Sequence, residues 1–236
     1  MIETVQTVDA EALAFLNQVI GQSEFIDGMT GFVAFSEVLK GVPVMMLFWG
    51  LWFAADRLGP ATRPRLAALL VTNVAAIVVG RAFATFLPAR LRPLQDPDIT
   101  ISTPLDRIVW DGWSSMPSDH AVMFFAMATA FFFVNRWAGV VALVHAATII
   151  SIPRIMLGLH FPSDIVVGAA IGACVALLLM PILSRAFVKH RIVERAMAYP
   201  YLLYPAMFFI TFQSASMFES LRRLLGAAGE AVSHIL

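Results

Sequence analysis

Long apolar runs, broken by short polar or proline-bearing stretches, set the pattern of this chain. About 20 apolar residues cross a bilayer as a helix. The pattern predicts six spans, near 41–56, 66–87, 119–135, 138–153, 162–183 and 199–218. The runs follow one another without a long polar insert. A single membrane domain over 1–236 is therefore expected, an all-α polytopic helix bundle. Gly168 and Gly172 in the fifth span form a small-xxx-small face suited to close helix packing. Asn73 and His145, polar residues inside spans, are expected to hydrogen-bond between helices. Two flanking segments read as amphipathic helices. Residues 8–26 place Val8, Ala12, Phe15, Leu16 and Val19 at helical spacing, and residues 219–236 do the same with Leu221, Leu225, Ala228, Val232 and Ile235. Both fit helices lying in the membrane interface or docking on the protein's own surface.

Composition sharpens this picture. The 236 residues are 59% hydrophobic and 14% charged, with a mean hydropathy of +0.80. Soluble domains carry about 25% charged residues, so an integral membrane protein is indicated. Membrane lipids are its surroundings, and no nucleic-acid partner is expected. The formal charge of zero hides an asymmetry. Segments 56–65, 135–137 and 184–198 carry eight basic residues and, among the acids, Asp56 and Glu194 alone. The opposite set holds both termini, 88–118 and 154–164. Lysine and arginine bias makes the first set cytoplasmic. A bacterial inner membrane is the expected location, with the second set facing the periplasm or cell exterior.

That outer face collects the chemistry. Three segments meet there: Arg81, with Arg90 and Arg92-Pro93 downstream; Pro117-Ser118-Asp119-His120; and Arg154, with His160 and Asp164 following. Polar clusters at the mouths of membrane helices are costly and mark function. Guanidinium groups suit phosphate oxygens. Ser118 precedes an apolar run, so it is placed to cap span three, and span five begins in the same way at Pro162-Ser163. Two helix N-termini and several arginines would then surround one phosphate. A neutral imidazole is a competent nucleophile when a partner fixes its tautomer. Asp164, four residues after His160, is placed to do so. His120 lies on a different span and is available to act as general acid. Zinc held by His120, His160, Asp119 and Asp164 is opposed by the surrounding cations, so no metal or cofactor is expected.

These segments resemble the three signature motifs of the type 2 phosphatidic acid phosphatase family, which shares its active site with vanadium haloperoxidases. The family pattern is Lys-x6-Arg-Pro, Pro-Ser-Gly-His and Ser-Arg-x5-His-x3-Asp, and the match covers about residues 81–172. The resemblance implies that His160 forms a phosphohistidine, that Asp164 orients it and that His120 protonates the leaving group. Arg92, Ser118 and Arg154 would hold the phosphate, and Asp119 and Arg81 are counted at the same site. It also implies chemistry without a metal. Three positions depart from the pattern. Thr85 stands at the lysine, with Arg81 one helical turn earlier; Asp119 stands at the glycine; Pro153 stands at the serine before Arg154. The Pro-Ser-Asp-His form is similar to undecaprenyl diphosphate phosphatases of the bacitracin-resistance type. Those proteins also share a short N-terminal helix with an aspartate near its end (here Asp27) and two spans before the arginine motif. The implied substrate is a lipid phosphate, best undecaprenyl diphosphate, with phosphatidate, phosphatidylglycerophosphate, lipid A phosphates or phosphotransfer as alternatives. A transporter would instead place its polar groups near the bilayer midplane.

Overall fold

A computed structural model describes residues 2–105 and 114–218. The amphipathic segment 219–236 lies outside the described residues. Every regular element described is helical: α1 Ile2–Asn17, α2 Glu24–Phe35, α3 Glu37–Phe53, α4 Ala55–Leu58, α5 Thr62–Phe86, α6 Asp119–Phe132, α7 Arg136–His145, α8 Ile152–Met156, α9 Pro162–Lys189, α10 Ile192–Met197 and α11 Pro200–Ala215. Every expected span falls on one or more of these helices. By length and composition, α5, the continuous run Arg136–Met156 and α9 are able to cross a membrane. The pair α2 and α3, bent by 49°, adds a fourth if it is one span. The site-bearing α6 has 14 residues, about 21 Å at 1.5 Å per residue, short of a roughly 30 Å hydrocarbon layer.

Helices α5, α6 and α9 form the centre, and glycine lets them touch. A β-carbon at Gly168 would lie 2.8 Å from the Ser118 carbonyl oxygen and 2.9 Å from Ala121 Cβ. One at Gly172 would overlap the Val122 carbonyl oxygen and approach the Ala126 nitrogen to 2.9 Å. The small-xxx-small face of α9 is thus pressed on the backbone of α6. Close backbone approach is what binds helices when surrounding lipid is as apolar as their side chains. The main apolar core, with Trp52, Leu66, Phe124, Phe131 and Met180, lies among α3, α5, α6 and α9.

The fourth expected span continues past Pro153. A wide π-type stretch, Ala146–Ser151, joins α7 to α8. Proline removes an N–H and crowds the carbonyl four residues back. The π turn just upstream relieves that conflict, and Ser151 Oγ donates to the Ala146 carbonyl at 2.7 Å. The helix therefore reaches Arg154 without breaking. His145 Nε2 lies 2.9 Å from the Leu39 carbonyl of α3, an interhelical contact as expected. Asn73 differs: it is buried on α5, and its side-chain amide has no partner among the described residues.

Helix α1 buries a different face from the apolar stripe expected of it. Val8 and Phe15, members of the expected apolar stripe, are 57% and 68% exposed. The buried face is instead Asp9, Leu13 and Asn17, continued by Ile20. Asn17 fixes this face to the protein. Its Nδ2 donates to the Ser102 and Met156 carbonyls at 2.6 and 2.8 Å, and its Oδ1 accepts from the Ser102 N–H at 2.8 Å. The expected helix over 8–26 is divided, α1 ending at Asn17 and α2 starting at Glu24, and α1 docks on the protein's own surface through Asp9, Leu13 and Asn17.

Gly172→Ala should lower thermal stability in detergent, because overpacking a tight contact costs roughly 1–3 kcal/mol. Gly50→Ala, where a β-carbon meets nothing within 4 Å, should be neutral or slightly stabilising. Melting curves of the two variants, followed by circular dichroism, check the contrast.

Candidate active site

The turn from α8 into α9 sets the position of His160. Gly158 adopts φ +70°, and a β-carbon there would collide with Ile101 Cδ1. Glycine alone enters that left-handed turn without strain. The chain then folds back so that the Leu159 N–H reaches the Arg154 carbonyl at 2.9 Å, and His160 projects inward. It is 5% exposed.

The ring of His160 has two distinct neighbours. Nδ1 lies 3.0 Å from the Ser115 carbonyl oxygen. A carbonyl only accepts, so Nδ1 carries the hydrogen and Nε2 keeps its lone pair. Nε2 lies 3.3 Å from Arg92 Nη1, which also donates to the Leu159 carbonyl at 2.7 Å. Burial first, then the positive charges of Arg92 and Arg154, hold the imidazole pKa well below its usual 6.5; the Ser115 carbonyl pulls the other way. The ring is neutral, and its Nε2 lone pair faces the arginine side.

Asp164 reaches the ring mainly through an intermediary. Its Oδ2 is 3.9 Å from His160 Nδ1. The same oxygen accepts from Ser115 Oγ at 2.5 Å and from the Phe161 N–H at 2.8 Å, and Oδ1 accepts from Arg90 at 2.7 Å. Ser115 thus bridges the carboxylate, through its hydroxyl, and the imidazole, through its carbonyl. Neither Ser115 nor the contact between Arg90 and Asp164 is visible in sequence. Ser115 carries no spacing signal, and Arg90 is legible only as a basic residue near the first motif.

Arg92, Ser118 and Arg154 lie around His160 and Asp164. Ser118 is fully buried at the head of α6, and its N–H donates to the Asp164 carbonyl at 3.2 Å. Its hydroxyl does not cap α6, contrary to the sequence expectation. Ser118 Oγ and Arg154 Nε are buried polar atoms without a partner among the described residues. Buried donors left in this state are costly, and a phosphate oxygen would satisfy them. Burial also lowers the pKa of Arg92, its main perturbation, with Asp119 and Asp164 opposing it. His120 follows Asp119 in the first turn of α6 and is half-buried.

Two expectations are altered. The N-terminus of α9 already holds an anion from the chain itself: Asp9 of α1 accepts from the Ser163 N–H at 2.8 Å and from Ser163 Oγ at 2.5 Å. A phosphate would face the α6 terminus, not both. Arg81 and Asp119 pair with each other at 2.6 Å. Thr85 is exposed and donates to the Arg81 carbonyl at 2.9 Å. No group of three or more metal-ligating side chains occurs among the described residues.

In protein with 15N-labelled histidine, His160 should show one Nδ1–H tautomer and remain neutral at about pH 6, where an ordinary imidazole is mostly charged. An NMR titration, with His160→Asn for assignment, measures this directly.

The stretch of chain that carries the site is similar to known proteins. The profile of the PAP2 superfamily matches residues 64–187, just over half of the chain. The bacitracin transport permease protein BcrC of Bacillus licheniformis is 26% identical over 170 residues, covering 72% of this chain and 78% of the relative. The lipid A 4'-phosphatase of Bacteroides thetaiotaomicron is 28% identical over 182 residues, covering 73% and 75%. A crystal structure of Aquifex aeolicus LpxE aligns with a TM-score of 0.48 at 22% identity, over 72% of this chain and 93% of that one. On a match spanning the helices that carry the site, this multi-pass membrane protein belongs to the PAP2 superfamily and is related to its lipid phosphatases.

Proposed function

We propose that the protein is a lipid diphosphatase that hydrolyses undecaprenyl diphosphate, or a close polyprenyl relative, at the outer face of the bacterial inner membrane. The observation that carries this reading is the Nε2 lone pair of His160 turned to Arg92 Nη1 at 3.3 Å, with Ser118 Oγ and Arg154 Nε buried and without a partner among the described residues. Fixed donors that meet charge only when substrate arrives are what phosphoryl transfer requires.

In the first step the Nε2 lone pair attacks the terminal phosphorus, and a P–N bond forms as the bridging P–O bond breaks. His120, protonated, gives its proton to the departing lipid phosphate. In the second step water attacks the phosphohistidine while His120 takes the water's proton. The P–N bond breaks, inorganic phosphate leaves, and both histidines return to their starting forms. The guanidinium groups of Arg92 and Arg154 offset the charge on the phosphoryl oxygens.

The lipid part of the reading is supported by a groove beside the Arg81–Asp119 pair. It encloses about 250 Å³ and is walled by Val74, Ile77, Val78, Val122, Met217 and Phe218. An apolar channel with ionic groups at one end suits a lipid chain with a charged head. The Pro-Ser-Asp-His sequence, similar to that of undecaprenyl diphosphate phosphatases of the bacitracin-resistance type, favours a polyprenyl diphosphate. A second reading, a lipid A phosphate, draws on the 28% identical relative. The arginine bias of the opposite loops supports a site facing away from the cytoplasm.

Purified protein in detergent should release phosphate from undecaprenyl diphosphate in the presence of a chelator, faster than from phosphatidylglycerophosphate or lipid A. His160→Ala should lower turnover by roughly a thousandfold or more, as loss of a nucleophile does. Phosphate release from none of the three lipids would overturn the enzyme reading; preference for lipid A would overturn the substrate.

A further inference from the structure

Asp9 belongs to none of the three motifs and sits on a helix whose sequence advertises only an apolar stripe. In the structure it is 2% exposed. A carboxylate so placed must be satisfied by specific partners, and Arg90 and Ser163, which meet Asp9, lie beside Asp164. Its Oδ2 accepts from Arg90 Nη2 at 2.7 Å and from Ser163 Oγ at 2.5 Å; its Oδ1 accepts from the Ser163 N–H at 2.8 Å. Arg90 extends the chain, because its Nη1 donates to both Ser163 Oγ and Asp164 Oδ1 at 2.7 Å. Its guanidinium also lies 3.9 Å above the Phe161 ring, which fixes its plane.

We propose that Asp9 and Arg90 form a positioning pair for the nucleophile. Asp9 holds Arg90 and the first turn of α9; Arg90 holds Asp164; Asp164, through Ser115, holds the ring of His160. The inference rests on the functional reading above only for its kinetic consequence. Arg90 carries one charge between two carboxylates. With Asp9 present, each carboxylate takes one arm of the fork. Without it, the fork is free to close on Asp164 with both arms, since a guanidinium favours a bidentate carboxylate. That shift would draw Asp164 Oδ2 from Ser115 and release the contact that orients the imidazole. Helix α1 would then be part of the active site rather than an accessory on its surface.

A purely structural role for Asp9 makes a different forecast, and Asn17 provides the comparison. Asn17 is also buried and anchors the same helix, through Ser102 and Met156, but it touches nothing in the Asp9–Arg90–Asp164 chain. Kinetics of Asp9→Asn and Asn17→Leu in the full-length protein separate the two. Asp9→Asn keeps an oxygen for the Ser163 N–H and removes the charge facing Arg90. It should lower kcat on the order of ten- to hundredfold, the range seen when an outer partner of a reacting group is lost, with KM within about twofold. Asn17→Leu should lower the melting temperature with kcat nearly unchanged. In the double variant Asp9→Asn/Arg90→Met, the loss should equal that of Arg90→Met alone, because both act through one chain. Wild-type kcat in Asp9→Asn, equal kcat losses in Asp9→Asn and Asn17→Leu, or additive losses in the double variant would overturn the proposal. The 15N histidine spectrum tests the pair without any turnover. Asp9→Asn should mix the two tautomers of His160, and an unchanged His160 signal would refute the pair even if the protein hydrolyses none of the lipids tried.

Discussion

A carboxylate without access to water, at the mouth of a membrane helix, has to be met on every side. Asp164 is 0% exposed. Its two oxygens receive Arg90, the Ser115 hydroxyl and the Phe161 N–H. Each donor comes from a separate piece of chain: the segment after α5, the loop before α6, and the turn into α9. The Ser115 N–H in turn donates to the Arg90 carbonyl at 2.8 Å, and the Ser118 N–H donates to the Asp164 carbonyl. Satisfying one buried charge therefore fixes three loops relative to one another, and the site forms where they meet. Removing any one donor would leave a desolvated charge, which costs far more than an ordinary contact.

The same constraint explains the arrangement around it. A bundle in lipid gains little from burying apolar side chains, since they are equally well accommodated outside. Specific contact must come from close backbone packing and from polar groups turned inward. The approach of α9 to α6 at Gly168 and Gly172 supplies the first. Helix α1, with Asp9 and Asn17 inward and Phe15 outward, supplies the second. Its inward face also carries Leu13, so polar and apolar side chains anchor it together.

The departures from the family pattern are also connected in space. Asp119, at the glycine of the second motif, pairs with Arg81, one turn before the missing lysine of the first. The exposed Thr85 at the lysine position only caps the Arg81 carbonyl. Two changes that look like separate losses in sequence form one ionic contact at the edge of the apolar groove. Pro153, the third departure, is absorbed by the π stretch ahead of it, and Arg154 still points into the site.

The length of the apolar runs, with composition, determined the all-helical membrane class, and three spaced motifs marked His160, Asp164, Arg92, Ser118 and Arg154 as one cluster. Spacing carries this because residues in the first turn of a helix, or in the loop just before it, share a location that the local chain enforces. Tertiary structure alone decided that Ser115 lies between Asp164 and His160, that Ser118 keeps its hydroxyl free of α6, and that Asp9 closes the N-terminus of α9. These contacts join residues as far as 154 positions apart. They depend on how helices rotate and dock, and a single polar residue on a short helix gives no periodic signal of which way it will face. The physical cause lies in the solvent: lipid accepts either apolar face, so hydrogen bonds to buried polar groups settle the orientation that hydrophobicity leaves open.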